Sequence, residues 1–296
     1  MIYEHPLAYL LGMEGLALLR GFIGEYDQEF VDARLAEVRL LLADESLADA
    51  AVDVARIDPE EGYRLWSRSY QAGRSGFDFD EPLVNEIIDP LPPGVALDAA
   101  CGTGRWTAHL TARGHQVIGV DATPEMLAHA KARVPEAEFR VGNLHQLPVE
   151  DNAVDLVMCA LALTHLPDLD PVIAEFARVL RPGGHLVIAD MHPERVLRAA
   201  VPTLRRANGQ PARPASYRHL VGDYLRAALP VGLDVRRCAE PTIADDPPAA
   251  AKLPVESLGP WEVWPWSLAE LVPDATTAAD SGVPVMLIWD FEATKR

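Results

Sequence analysis

The chain has 296 residues, of which 49% are hydrophobic, so it can bury the core of one large domain or of two small ones. Its net charge of -18 at pH 7, with only three lysines, argues against a surface that binds nucleic-acid phosphates or anionic membranes. The three cysteines, Cys101, Cys159 and Cys238, are far apart and include no C-x-x-C pair, so neither a disulfide framework nor a metal site is predicted.

The first 80 residues are predicted to be mainly helical. Leucines recur through residues 7–19 at the spacing of an apolar helix, and apolar residues recur through 30–42 at the spacing of a second, amphipathic helix. The first stretch carries Glu14 and Arg20 and lacks a basic leader, so it predicts neither a membrane span nor a signal peptide. We therefore expect a soluble, cytoplasmic protein.

A third helix is predicted to begin after Asp58. Aspartate is favoured as an N-cap, Pro59 fits the first helical position, and Glu61 stands three residues after the cap. Further helices are predicted at 104–113, at 123–133 with Thr123 as N-cap, and at 171–180, ended by residues 181–184.

Between these helices, short and almost continuously apolar stretches recur from Val95 onward, a pattern typical of parallel strands covered on both faces. They are VALDAA, QVIGVD, AEFRVG, VDLVMCA and GHLVIAD. Two more strands are predicted at 235–238 and 284–291, on either side of a Pro- and Trp-containing insert at about 240–282. The alternation predicts a doubly wound, Rossmann-like α/β fold with a seven-stranded sheet, in which six strands are parallel and the antiparallel last strand forms a hairpin edge.

The chain is predicted to divide at residue 80. Residues 81–296 would form the α/β domain with its insert, and residues 1–80 a helical lid or dimerisation segment. The apolar helices of residues 1–45 leave a stripe that the α/β core need not cover, so we expect them to cap the active site or to pair with a second subunit in a homodimer.

Residues 95–106, VALDAACGTGRW, predict a buried strand, a tight glycine turn and a helix, a combination that holds a nucleoside-bearing cofactor. A dinucleotide fingerprint requires a third glycine where this chain has Thr107. Asp98 would also repel pyrophosphate, whereas it suits a ligand with ammonium and sulfonium charges. Asp121, at the end of the next strand, is placed to accept hydrogen bonds from ribose hydroxyls, which both cofactor types carry. Asp98 and the missing glycine favour S-adenosylmethionine over a nicotinamide dinucleotide.

Four segments, in this order and spacing, resemble class I S-adenosylmethionine-dependent methyltransferases. They are LDAACGTGRW, VIGVDATPEMLAHAK, FRVGNLHQLPVEDNAVDLVMCALALTHL and EFARVLRPGGHLVIAD. The resemblance covers about residues 60–240. Within this class, the segments are most similar to the ubiquinone- and menaquinone-biosynthesis type and to actinobacterial relatives in secondary metabolism. Ala99 and Ala100 depart from the family's more usual DLGCGTG, although they exchange one small residue for another.

The resemblance implies that the cofactor is held by the strand ends and by an aromatic segment, GYRLWSRSY, ahead of the first strand. The implied contacts are Asp98, Gly102 and Gly104 with the methionine end, Asp121 with the ribose, Asn143 and Leu144 with the adenine, Cys159 to Leu161 with the sulfonium, and Tyr63 and Tyr70 closing over the cofactor. Two simpler roles stay open at this point, a turn cap for Asn143 and core packing for Tyr63.

His165 and His192 follow the fourth and fifth strands, where a methyl acceptor would lie. An imidazole titrates near neutral pH and can take an acceptor's proton, and Pro193, which fixes the chain after His192, favours His192 over His165. We expect methyl transfer from S-adenosylmethionine to a small organic acceptor, with an aromatic or indole-containing natural product as the expected class. A cofactor-binding protein of the same fold with a cyclase or regulatory role is the alternative.

Overall fold

A computed structural model describes residues 1–67, 80–242 and 257–294 of the chain. It divides into two compact units. The first unit comprises Met1–Ile57, Arg198–Pro214 and Thr242–Val283, and the second comprises Asp58–Leu197, Ala215–Pro241 and Pro284–Arg296. This division differs from the predicted boundary at residue 80. Arg198–Pro214 and most of the predicted insert belong to the same unit as the N-terminal helices.

The secondary structure of the described residues consists mainly of α-helices and strands. The strands are β1 (Ile2–Glu4), β2 (Val52–Ile57), β3 (Val95–Ala99), β4 (Gln116–Asp121), β5 (Glu138–Val141), β6 (Val154–Ala160), β7 (Leu180–Met191), β8 (Leu204–Arg205), β9 (Pro211–Pro214), β10 (Leu233–Ala239) and β11 (Met286–Ala293). The α-helices are α1 (Pro6–Phe22), α2 (Gln28–Ala43), α3 (Glu45–Ala48), α4 (Pro59–Trp66), α5 (Glu81–Ile88), α6 (Arg105–Ala112), α7 (Pro124–Arg133), α8 (Asp170–Val179), α9 (Pro193–Leu197), α10 (Val221–Ala228), α11 (Trp266–Ala269) and α12 (Pro273–Asp280). In this described part of the chain, no helix has the length and hydropathy needed to cross a bilayer.

The second unit is built on a seven-stranded sheet in the order β10-β11-β7-β6-β3-β4-β5. Strands β3 to β7 pair in parallel, and β11 is antiparallel to both of its neighbours, so the predicted fold class is confirmed. The predicted hairpin edge is wrong in one respect, because β11 lies between β7 and β10, and β10 forms the edge. Pairing on both sides suits β11, since six of its eight residues are buried consecutively from Met286 to Phe291.

Most predicted helix starts are found, but two local expectations need correction. Asp58 caps α4 as predicted, since its carboxylate accepts a hydrogen bond from the Glu60 N–H. Thr123 precedes α7, yet its side chain makes no capping bond, and both its N–H and its side chain are hydrogen-bonded to the Asp121 carboxylate. The predicted stop at 181–184 lies inside β7, where the register with β6 shifts and the chain bulges before resuming its pairing.

The first unit contains a four-stranded sheet, in the order β1-β2-β9-β8, and a set of helices that pack on each other. Strand β2 was missed in the sequence, since its buried residues are interrupted by Asp53 and Arg56 on the solvent face. The apolar core of this unit is drawn from distant parts of the chain, namely Leu10, Met13, Ala17, Leu47, Val54, Trp261, Trp264, Leu268, Val272, Ala275, Ala278 and Ala279. Trp261 and Trp264, which belong to the Pro- and Trp-containing insert, are buried in this core.

The order of the large sheet places its topological switch point between β3 and β6. The chain moves from β3 outward to β4 and β5, and then returns to the other side of β3 to form β6 and β7. In open α/β sheets, ligands bind in the crevice outside the carboxyl ends of the strands at such a point. The residues that end β3, β4, β6 and β7 are therefore the place to look for a site.

Candidate cofactor site and active site

The turn after β3 is held in left-handed backbone conformations that favour glycine. Gly102 and Gly104 have φ angles of 53° and 79°, and Ala100 has a φ of 58°. A Cβ atom on Gly104 would lie 3.1 Å from the Cβ of Ala130 in α7, so glycine permits the close approach of the turn to that helix. At Gly102, a Cβ atom would meet no atom within 4 Å. The space beside Gly102 is therefore open for a ligand to approach the backbone.

Asp121, the last residue of β4, links its own strand to the glycine turn. One carboxylate oxygen accepts a hydrogen bond from the Gly102 N–H at 2.8 Å, and the other accepts one from the Thr123 N–H at 2.8 Å. Burial raises the pKa of Asp121, while these two N–H donors oppose that rise. The Thr123 side chain is a third hydrogen-bond partner of Asp121, and because a carboxylate has about four acceptor positions, Asp121 retains capacity for a further donor such as a ribose hydroxyl.

Asp98, near the end of β3, is a buried carboxylate that accepts a hydrogen bond from a side chain of α6. Thr107 in α6 donates its hydroxyl hydrogen to this carboxylate at 2.6 Å, and Asp98 is 2% exposed. Burial raises the pKa of Asp98 to about 6, and the Thr107 hydrogen bonds oppose the rise. The sequence did not predict this role for Thr107. It indicated only that Thr107 stands where a dinucleotide fingerprint would have its third glycine.

A second missed contact anchors the start of α6. The carboxylate of Asp80, which is fully buried, accepts hydrogen bonds from both terminal nitrogens of Arg105, at 2.8 and 2.7 Å, and from the indole N–H of Trp106 at 3.2 Å. These bonds tie the first residues of α6 to the residue before α5. The glycine turn is thus fixed at both ends, by Asp121 on one side and by Asp80 on the other.

Tyr63 of α4 and His165 form a hydrogen-bonded pair. The phenol oxygen of Tyr63 lies 2.9 Å from the Nε2 atom of His165, and their rings meet edge to face. The Nδ1 atom of His165 lies 2.8 Å from the Ala215 carbonyl oxygen. Burial lowers the pKa of His165, and it raises the pKa of Tyr63. Tyr70, the other predicted aromatic contact, lies outside the described residues.

Asp190, near the end of β7, lies in the same region as His165. Its two carboxylate oxygens accept hydrogen bonds from the Thr164 N–H at 2.9 Å and the Met191 N–H at 2.7 Å, and it is 1% exposed. Burial raises the pKa of Asp190, whereas the two N–H donors and the electrostatic attraction of His165 lower it. The Asp190 carboxylate and the His165 imidazole are therefore close enough to interact electrostatically.

His192, the favoured base from sequence, has both ring nitrogens engaged. Nδ1 lies 3.2 Å from the Glu194 nitrogen and accepts its N–H, and Nε2 lies 2.9 Å from a carboxylate oxygen of Glu240. Nε2 therefore carries the proton in the neutral ring and donates to Glu240. Because no lone pair of the ring is free, these bonds argue against His192 as the group that takes an acceptor's proton.

Three further predicted contacts occupy structural positions. The side-chain oxygen of Asn143 accepts from the N–H groups of His145 and Gln146, at 3.0 and 3.1 Å, so Asn143 caps its own turn. Leu144 and Cys159 pack into the main apolar core of the second unit, and burial raises the pKa of the Cys159 thiol well above its usual range. Within the described ranges, no group of three or more His, Cys, Asp and Glu side chains is placed to bind a metal.

Comparisons with known proteins show which sequences this part of the chain resembles. Residues 97–188 match the family model described as a methyltransferase domain. An uncharacterized methyltransferase of Mycobacterium tuberculosis is 40% identical over 121 residues, which are 40% of this chain and 47% of that protein. A demethylmenaquinone methyltransferase of Bacillus cereus is 38% identical over 109 residues, or 34% of this chain and 46% of that protein. The chain thus spans about half the length of these curated relatives.

The fold itself is shared with solved structures. A crystal structure of an S-adenosylmethionine-dependent methyltransferase from Mesorhizobium loti superposes with a TM-score of 0.51 at 20% identity, over 72% of this chain and 97% of that one. The matched family segment runs from β3, through the glycine turn and Asp121, to β7. Residues 97–188 of this chain are thus similar in sequence to methyltransferase domains, and the chain shares its fold with a solved S-adenosylmethionine-dependent methyltransferase.

Proposed function

We propose that this protein transfers a methyl group from S-adenosylmethionine to a small organic acceptor. The observation that carries the proposal is the hydrogen bond between Asp121 and Gly102, which joins a carboxylate suited to ribose hydroxyls to a turn that is open for a ligand. The match of residues 97–188 to a methyltransferase domain supports the same assignment.

Two carboxylates divide the binding of the cofactor in this proposal. Asp121 accepts hydrogen bonds from the ribose hydroxyls, and Asp98 attracts the ammonium group of the methionine end. Asp98 is buried beside the glycine turn. Its negative charge would repel a pyrophosphate at this place, whereas it would attract a cationic ligand. The bound cofactor supplies a sulfonium whose methyl carbon is electrophilic.

The acceptor is proposed to be uncharged or cationic before it reacts. Asp98, Asp121 and Asp190 all end strands at the same edge of the sheet, so an anionic acceptor would be repelled there. Among uncharged acceptors we favour hydroxylated aromatic rings and indoles. The similarity to a demethylmenaquinone methyltransferase makes a hydroxylated naphthalene a suitable first compound.

The test combines cofactor binding with product analysis. Calorimetry with S-adenosylhomocysteine measures binding, and incubation with methyl-labelled S-adenosylmethionine and a panel of naphthols, 1,4-dihydroxynaphthalene, indoles and amines measures transfer. We expect binding and a gain of one methyl mass on at least one panel compound, with a matching release of S-adenosylhomocysteine. Tight binding without transfer to any compound would favour the cyclase or regulatory role, and absence of binding would contradict the proposal.

For the first unit we propose self-association through the C-terminal end of α1. Leu19, Phe22 and Ile23 are 63%, 87% and 69% exposed, although each is large and apolar. Sedimentation should give twice the mass of one chain, and a Phe22→Ser substitution should shift the protein toward the monomer. A single-chain mass for the unsubstituted protein at micromolar concentration would contradict self-association.

A further inference from the structure

We propose that Tyr63 and His165 form a proton relay, in which the Tyr63 phenol takes the proton of the methyl acceptor and passes its own proton to His165. This inference rests on the proposed function and deepens it. It names Tyr63 as the catalytic residue that contacts the acceptor, and His165 as the proton-accepting residue behind it.

The hydrogen bonds of His165 fix which ring nitrogen can receive a proton. The Ala215 carbonyl oxygen can only accept, so Nδ1, at 2.8 Å from it, must carry the hydrogen of the neutral ring. Nε2 is then a bare acceptor, and the Tyr63 hydroxyl at 2.9 Å must be its donor. This is the arrangement a relay requires before reaction, since the base is free of a proton and is already aligned with the phenol.

Charged groups around the pair favour the product of the transfer. Among the described residues, the Tyr63 phenol of α4 is hydrogen-bonded to the imidazole, the Ala215 carbonyl is hydrogen-bonded to its other nitrogen, and Asp190 of β7 interacts with it electrostatically. The Asp190 carboxylate, held by the N–H groups of Thr164 and Met191, would stabilise an imidazolium at His165. His165 is itself 7% exposed, so bulk water screens this attraction poorly.

The phenol is also influenced by carboxylates near the ends of two strands of the large sheet. Burial raises the pKa of Tyr63, and the charges of Asp190 and Asp121, near the ends of β7 and β4, raise it further. These strands lie on opposite sides of β3 in the sheet. In this proposal the acceptor lies beside the Tyr63 oxygen, at the ends of these strands.

The proposed step transfers one methyl group and moves two protons. The acceptor atom forms a bond to the methyl carbon, while the carbon–sulfur bond breaks and its electron pair stays on sulfur, which becomes a neutral thioether. The acceptor's proton moves to the Tyr63 oxygen as the Tyr63 hydroxyl proton moves to His165 Nε2. The phenol ends neutral, the imidazole ends as a cation beside Asp190, and that proton returns to water after product release.

A spectroscopic test does not depend on an acceptor. The full chain is labelled with ¹⁵N at histidine, loaded with S-adenosylhomocysteine and examined by NMR, with His165→Gln used to assign the His165 signals. We expect a protonated Nδ1 and a bare Nε2 at pH 7, and Tyr63→Phe should move the Nε2 signal while leaving Nδ1 protonated. A proton on Nε2 at pH 7 would overturn the relay, because His165 would then be the donor of the pair.

A kinetic test uses 1,4-dihydroxynaphthalene as the probe in single-turnover methyl transfer. Tyr63→Phe and His165→Gln should each lower the rate about 10²- to 10⁴-fold and remove its dependence on pH, with little change in affinity for S-adenosylhomocysteine. The double variant should be no slower than either single variant, as expected for residues that act as a unit. The matched control is His185→Gln. It removes another hydrogen-bonded histidine of β7, the partner of Asp290 in β11.

The outcomes separate the two proposals. Additive losses in the double variant, or a rate in Tyr63→Phe equal to that of the unsubstituted protein, would overturn the relay while leaving methyl transfer intact. No transfer to any panel compound would overturn the proposed function and the relay with it, whereas a protonated Nε2 overturns the relay alone.

Discussion

The carboxylate of Asp121, at the end of β4, accepts a hydrogen bond from the backbone N–H of Gly102 in the turn after β3. The two residues are 19 positions apart, and the bond sets the position of the turn against that of the neighbouring strand. A ligand that contacts both would bind a surface that is already arranged, so little ordering free energy opposes binding.

Asp121→Ala should weaken the binding of S-adenosylhomocysteine by about 1–3 kcal/mol, because it removes the proposed acceptor of the ribose hydroxyls. Asp121→Asn, which keeps one acceptor oxygen, should lose less. Calorimetry measures both, with the exposed Glu125→Ala as the control at the start of the next helix. Unchanged affinity in Asp121→Ala would contradict the ribose assignment.

Binding of S-adenosylhomocysteine should weaken as the pH falls below about 6. Burial raises the pKa of Asp98 to about 6, and the proposed contact with an ammonium group requires the carboxylate form. Affinity should therefore be constant near neutral pH and fall by up to about tenfold for each pH unit below the pKa. Calorimetry from pH 5 to 7.5 tests this, and a flat profile would remove Asp98 from the binding site.

Thr107→Val should move that loss of affinity to higher pH. The Thr107 hydroxyl donates to the Asp98 carboxylate and so favours the charged form, and valine keeps the shape without the donor. The control is Thr111→Val. This substitution removes a hydroxyl one turn further along α6, which donates to the Thr107 carbonyl. An identical shift in both variants would point to a general effect on the helix.

Gly104→Ala and Gly102→Ala should fail in different ways. Both glycines have positive φ angles, so alanine costs about 1–2 kcal/mol of folding free energy at either position. At Gly104 the new methyl also meets Ala130 at 3.1 Å, which adds to the loss of stability. At Gly102 it enters open space, so the additional loss should fall on cofactor affinity. Urea unfolding and calorimetry separate these effects, and equal affinity in Gly102→Ala and the unsubstituted protein would show that no ligand occupies that space.

The first unit should become less stable as the pH rises from about 5 to about 7. Glu14 of α1 is fully buried, 3.4 Å from Arg34, and burial together with Glu37 raises its pKa from 4.5 to about 7. A group whose pKa is raised on folding binds extra protons in the native state, and that stability is lost as the pH passes through the folded pKa. The full effect is at most about 3 kcal/mol.

Glu14→Gln should remove this dependence. Above pH 7 the variant should be more stable than the unsubstituted protein, and near pH 5 the difference should disappear. Hydrogen exchange of α1, corrected for the intrinsic rate at each pH, gives a local readout, and Glu29→Gln on an exposed part of α2 is the control. A pH dependence that survives in Glu14→Gln would assign the effect to another group.

The sequence predicted the parts of the structure that local pattern determines. The parallel strands, the glycine turn and Asp121 follow from apolar stretches and residue types that are read within a few positions. Side-chain pairs between distant residues were not predicted, because no local pattern couples Tyr63 to His165 or Asp98 to Thr107. For the same reason, the sequence did not predict that His192 is hydrogen-bonded to Glu240, which lies 48 positions away.

The position of β11 has a consequence for the order in which the sheet can form during synthesis. This strand is translated after the other six strands of its sheet, yet it fills the gap between β7 and β10. Until residues 286–293 leave the ribosome, β7 and β10 each expose an unpaired, partly apolar edge. Nascent chains stalled before β11 should therefore aggregate or recruit chaperones, and release of that last strand should complete the sheet in one late step.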